Sequence, residues 1–310
     1  MKNQNSCKLA TKRYELGSMN NKIHGIFWVL VCCVTLSTMT ALVRHVSDLG
    51  LGAAQIVFIR NLTAMTILVP FVFFKRSQID LKIYNPKLYS LRIVVGITSM
   101  ILWFHGLGVM PLGTATALSF TTPIFVSIMA VLFLKEKMGW HRWGAVLIGF
   151  VGALIILRPS SESFNHASFY IISACLFQAC ALIIVKKMIA KESPFTMMFH
   201  MHLWMGVVSA PLAIFVWQEL TKEQLVWCYG IAVLSIIGQY GIAKAYSLVD
   251  VTLTLPFDFT RLIIASTIAY FAFAETPDIY SFIGAGIIII SSTYIAYRET
   301  RKKTISSAKY

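Results

Sequence analysis

The chain has 310 residues, with 27 Lys and Arg against 13 Asp and Glu, a formal charge of +14. Yet only 13% of its residues are charged and 57% are hydrophobic, and the mean hydropathy is +0.72. Soluble domains carry about 25% charged residues, so the composition excludes a soluble domain and indicates an all-α, polytopic membrane protein.

Residues 1–23 are polar and basic, with Lys2, Lys8, Lys12, Arg13 and Lys22. They read as a disordered tail rather than a signal or transit peptide, because no A-x-A-like cleavage site follows the first apolar run. Met19 offers an alternative start to Met1. Apolar runs of bilayer length, about 20 residues, follow at 24–43, 54–74, 92–109, 111–134, 141–157, 166–185, 196–217, 225–248, 251–274 and 279–297. Ten transmembrane helices are expected, with turn-like links at Pro111 and Asp250.

The basic residues orient these spans. Five lie in the tail, five within 75–92, three within 135–142, three within 186–191 and five after 297, against Arg44, Arg158 and Lys222 in the alternate links. That bias of 21 to 3 puts both termini in the cytoplasm. The net charge is therefore a topology signal, and no nucleic-acid partner is expected. The six cysteines form no CxxC pair and read as small buried hydrophobes. Neither a metal site nor a cofactor motif is visible.

A shift of 139 residues aligns 106–157 with 245–296 without a gap. It pairs Phe120 with Phe259, Thr121 with Thr260, Ile124 with Ile263, Ser127 with Ser266, Ala130 with Ala269 and Glu136 with Glu275. The domain reading is a first repeat at 24–157, a linker at 158–165, a second repeat at 166–297 and a basic tail at 298–310. Five spans per repeat force the second copy to be inverted. Inverted repeats are the usual build of secondary transporters, with the site near the midplane between the halves.

The motifs Phe104-His105-Gly106-Leu107, Ala115-Thr116-Ala117, Pro123, Phe133-Leu134-Lys135-Glu136 and Trp143-Gly144 with Gly149 and Gly152 resemble the EamA repeat of the drug/metabolite transporter superfamily. The second copy runs from Lys244 to Thr252 and on through Ala269-Tyr270-Phe271 to Glu275. The last third is most similar to ten-helix carriers that take up S-adenosylmethionine in obligate intracellular bacteria. Related carriers move riboflavin, amino acids or other metabolites. The resemblance implies a carrier in the inner membrane, and it also implies an arginine at the place of Arg60.

The stretch Leu255-Pro256-Phe257-Asp258-Phe259-Thr260-Arg261 lies within the ninth span. Asp258 and Arg261 fall on one helix face, and in hydrocarbon each is expensive unless paired or wet. They either pair to fix helix packing or line a central cavity. The repeat maps His105 onto Lys244, Ser119 onto Asp258 and Thr122 onto Arg261, so matching positions are polar in both halves. At 1.5 Å per residue, Arg261 lies about 15 Å into its span, Asp258 about 10 Å, Lys244 about 6 Å from an inner end and Arg60 about 9 Å from an outer end. Trp103, Phe120, Tyr240 and Phe259 are candidates to stack on a planar or cationic substrate, or else they pack. His105 is either a packing residue or a site residue, and His200 and His202 are weaker candidates.

The glycines at 144, 149, 152, 284 and 286 read as close helix contacts, within one chain or at a dimer seam. The protein is thus either a monomer or a homodimer. Residues 24–43 hold no carboxylate, which disfavours a proton-driven four-helix type of drug exporter. No HExxH, GxSxG or paired carboxylates point to an intramembrane enzyme. The expected function is alternating-access movement of a small organic metabolite, S-adenosylmethionine uptake or exchange first, export of amino acids, riboflavin-like metabolites or drugs second.

Overall fold

Apolar runs of bilayer length can satisfy their backbone in hydrocarbon only within themselves, and here they do so as helices. The computed structural model describes residues 2–74, 81–134, 140–157, 167–188, 193–248, 260–276 and 279–307. Its helices are α1 (Lys2–Asp48), α2 (Ala53–Phe74), α3 (Pro86–Val109), α4 (Leu112–Ser119), α5 (Thr122–Leu134), α6 (Trp140–Leu157), α7 (Ala167–Met188), α8 (Pro194–Phe215), α9 (Lys222–Leu248), α10 (Thr260–Phe273) and α11 (Ile279–Ser307). Among the described residues, seven helical segments are long and apolar enough to cross a membrane, and Trp143–Ile156, Thr260–Phe273 and Ile279–Ser291 are shorter apolar helices.

Where a disordered tail is expected, the backbone of α1 is helical from Lys2 onward. The stretch contains no proline to stop the helix from propagating out of the membrane. The helix starts follow sequence signals. Asn85 caps α3 by accepting from the Leu88 N–H at 3.2 Å, and Ser193 caps α8 by accepting from the Thr196 N–H at 3.1 Å. Each is followed by a proline, whose missing N–H is harmless in the first turn. At the other end of α1, Gly50 takes φ +91°, and Leu51 N–H reaches back to Val46 O at 3.2 Å.

The run 111–134 is not one helix. Pro123 has no N–H to give Ser119, and its ring would strike that carbonyl. The chain breaks instead, with Phe120 N–H donating to Ala117 O (3.3 Å) and Thr121 N–H to Leu118 O (3.0 Å) before α5 begins.

The packing has the symmetry that two repeats demand. α1 packs along α9 and α3 along α7, and exchanging the repeats turns one pair into the other. The pairs α2 with α8 and α6 with α11 each map onto themselves, and α4 packs against α10. The α6–α11 crossing is the tightest: a Cβ on Gly152 would lie 2.8 Å from Gly284 O, and one on Gly284 would lie 2.5 Å from Gly152 O. Ser291 donates its hydroxyl to Ala145 O at the same crossing. Gly149, Gly152 and Gly284 are therefore used within the chain, whereas a Cβ on Gly144 or Gly286 would meet nothing within 4 Å. Cys32, Cys33, Cys175 and Cys228 are free and buried, as small core residues should be.

Candidate substrate site at a broken helix

A broken helix leaves polar backbone where lipid cannot satisfy it, and the elements around the α4–α5 break supply what is needed. Phe120 and Thr121 sit in the gap, with Phe120 only 2% exposed. Cys175 of α7 points its thiol at Leu118 O (3.8 Å) and Ser119 O (3.9 Å). Across the gap stands Arg261, second residue of α10, whose guanidinium carbon lies 5.7 Å from the centre of the Phe120 ring. From α1, Ser37 donates to Arg261 O at 3.3 Å. The break thus brings together α1, α4, α7 and α10. Thr122 opens α5 and is half-buried there. The N-terminus of α5 carries a partial positive charge, which adds to that of Arg261 to favour an anionic group.

A second buried polar cluster joins α2, α3, α8 and α9. Arg60 is 2% exposed. Its Nη1 donates to Ser235 Oγ and its Nη2 to Asn61 Oδ1, both at 3.2 Å, and its guanidinium carbon stands 5.8 Å from the Phe104 ring centre. The Asn61 oxygen also meets His202 Nδ1 at 2.9 Å. Arg60 therefore bridges to α9. Asn61 and His202 lie on the self-paired helices α2 and α8, as do the interior prolines Pro70 and Pro211 at the same sequence separation. The cluster sits where the two repeats meet on their common axis. Among the described residues Arg60 makes no ion pair.

The remaining sequence candidates disperse. The His105 ring packs edge-on against Tyr170 with centroids 4.5 Å apart, on an exposed face of α3 and α7. Trp103 is part-buried against the central core. Tyr240 packs edge-on against Trp28 (5.5 Å) and is itself exposed. Lys244 is exposed near the end of α9. Asp258 and Phe259, with Glu136, lie outside the described residues. His200 meets Leu81 O at 2.9 Å, beside Tyr89. Sequence reasoning did not single out Ser37, Asn61, Cys175 or Ser235, and Phe104 entered it only as part of a family motif. A small polar residue in an apolar run carries little signal of its own, and the contacts across helices select it: Ser37 through Arg261, Cys175 through the α4 carbonyls, and Asn61 and Ser235 through Arg60 and His202. Among the described residues no group of His, Cys, Asp and Glu could hold a metal ion.

A two-repeat helical bundle with a helix broken inside its apolar span, and a half-buried arginine facing the break, belongs among multi-pass membrane transporters. Comparison with known proteins makes that specific. Residues 23–158 and 166–297 each match the EamA-like transporter family, and the chain belongs to that family. It is 35% identical over 288 residues to the S-adenosylmethionine uptake transporter of Rickettsia bellii (strain RML369-C), covering 91% of this chain and 96% of that one. It is 29% identical over 287 residues to the riboflavin transporter of Vibrio cholerae serotype O1, covering 91% and 96%. A solved crystal structure superposes with a TM-score of 0.62 at 11% identity, over 92% of this chain and 98% of the other, a likeness of fold alone. The chain is a small-metabolite transporter of the EamA family, not an enzyme.

Proposed function

We propose that this chain takes up S-adenosylmethionine across the inner membrane of a bacterium by alternating access. In this reading ten transmembrane helices form two inverted repeats with both termini cytoplasmic, and the repeats rock about the central site. The observation that carries the proposal is the break at Phe120–Thr121 facing Arg261. The ligand presents a carboxylate, an ammonium, a sulfonium and a planar adenine. Arg261 and the α5 N-terminus suit the carboxylate, and Asp258 suits the cationic end. Phe120 and Phe259 suit the adenine ring, with Thr122 as a hydrogen-bonding partner. The likeness to a named S-adenosylmethionine uptake transporter over 91% of the chain supports the substrate. Arg60 then serves as the polar cross-link about which the repeats turn. His105, Trp103, Tyr240 and Lys244 line the approaches. No cofactor is needed, no nucleic acid is involved, and one chain holds the whole site, whether it works as a monomer or a homodimer.

The test is uptake of radiolabelled S-adenosylmethionine into cells expressing the chain. Saturable uptake blocked by S-adenosylhomocysteine but not by riboflavin or amino acids is the expected result. Absence of uptake with the protein in the membrane would overturn the substrate assignment. The likeness to the riboflavin transporter favours a second reading. It predicts the reverse competition pattern, and Arg261 argues against it because the riboflavin ring system carries no carboxylate.

A further inference from the structure

A carboxylate from the second repeat closes the gap between two helices of the first. Glu275 Oε2 accepts the N–H of Leu112, the first residue of α4, at 2.8 Å. That helix start otherwise lacks a cap, since Pro111 precedes it and offers no side-chain acceptor. On the neighbouring helix end, Arg44 donates to Leu107 O and Met110 O, both at 2.8 Å, and pairs with Asp48 at 3.1 Å. The link between α3 and α4 is thus clamped by a cation at the helix that ends, matched to the local dipole, and by a carboxyl oxygen that accepts the first N–H of the helix that begins. Behind Glu275 lies a cavity of about 30 Å³ bordered by Gly113, Thr114, Ser266, Ser281 and Phe282. Leu262, Ser266 and Ala269 carry its wall down one face of α10 toward Arg261.

The chain around Glu275 is held against its own preference. Ala274 takes φ +52°, which disfavours a residue with a Cβ, and Glu275 N–H reaches back to Ala269 O at 3.1 Å. Strain of this kind persists only where surrounding contacts over-determine it. Here the contact is the carboxylate on α4.

We propose that Glu275 is the latch of the outer gate: its bond to the α4 N-terminus holds α10 and α11 of the second repeat against α4 of the first, and its release opens the cavity toward Arg261. The assignment of this end to the outside rests on the topology proposed above. Burial raises the Glu275 carboxyl above its ordinary value, opposed by the hydrogen bonds from Leu112 and Gly113 and by Arg44. The charged groups facing it among the described residues are Arg44 and Asp48 of α1; α4 offers it backbone N–H groups, and the neighbouring Ser281 of α11 is uncharged. A carboxyl raised in the latched state is bound more tightly when protonated, so the latch is firm at acid pH and loosens as pH rises through the latched-state value.

The reporter is Ser266→Cys, labelled by a membrane-impermeant maleimide in whole cells and in inside-out vesicles. The cavity holds little more than a water, so labelling requires opening. Glu275→Ala should speed labelling about tenfold. Glu275→Gln keeps an acceptor for Leu112 without the charge and should label more slowly than the parent at neutral pH. The ratio of parent to Gln-variant rates should rise with pH, which cancels the thiol's own pH dependence. Equal rates in all three, or a flat ratio, would overturn the latch. Acceleration seen only in inside-out vesicles would uphold the latch and overturn the topology. If Glu275→Ala does not reach the membrane, the pH ratio between parent and Glu275→Gln decides alone.

Discussion

Arg60, which is buried, and Arg261, which is half-buried, are held in opposite ways in this bundle. Arg60 lies within continuous helix, with Ser235, Asn61 and Phe104 packed round it and the hydrogen-bonded pair Asn61–His202 beside it. Arg261 lies at a helix start, across from a break where Phe120 offers the face of its ring. The same side chain is a cross-link where helices run through and, in the proposed function, a ligand-facing group where they stop. Depth in the membrane does not separate the two, but the state of the surrounding backbone does. A broken helix offers dipoles and carbonyls to a visitor, whereas an intact one offers only its side chains.

The sharpest way to break this comparison is Arg261→Ala. A hydrogen bond to a charged group is worth about 1.5–3 kcal/mol, so apparent substrate affinity in the uptake assay should fall about ten- to a hundredfold. Membrane insertion and thermal stability in detergent should stay near those of the parent. Arg60→Met should do the converse. It strands Ser235 Oγ without its donor, and an unsatisfied buried group costs about 1–3 kcal/mol. The melting temperature should drop by several degrees, while KM per folded molecule changes less than in the Arg261 variant. If Arg60→Met leaves stability intact and destroys affinity, the two roles are exchanged. Phe120→Leu comes next: losing one cation–π face is worth about 0.5–2 kcal/mol, a few-fold rise in KM without loss of protein.

Much of the fold was legible because hydrocarbon imposes few solutions. Runs of bilayer length must be helices, and a repeat with an odd number of spans constrains how its copies pair. The break at Phe120 was not read, although Pro123 announces it, because the run 111–134 is uniformly apolar and of the right length for one span. Arg261 was selected from its charge, and the structure places it against Phe120, which the repeat also brought forward. His105 stays open between packing and site in the sequence, and the structure sets its ring edge-on against Tyr170 on an exposed face of α3. Asn61 and Ser235 carried no signal, since a small polar residue in an apolar helix gains meaning only from the residue opposite.

The smallest expected effect concerns two helix ends of the same bundle. After α1 the left-handed position is filled by Gly50 at φ +91°, while after α10 it is filled by Ala274 at φ +52°. Glycine adopts that conformation freely, whereas a residue with a Cβ loses about 1 kcal/mol or more. Gly50→Ala should therefore lower stability by about 1 kcal/mol, read as a small shift in melting temperature. Ala274→Gly removes strain that exists only while Glu275 sits on Leu112, so it favours the latched state. Labelling of Ser266→Cys should slow about fivefold, the equivalent of about 1 kcal/mol. Faster labelling would mean that the alanine stiffens the turn and helps to hold Glu275 in place. The direction of that change tells whether the strain at Ala274 opposes the latch, keeping it releasable in each transport cycle, or sustains it.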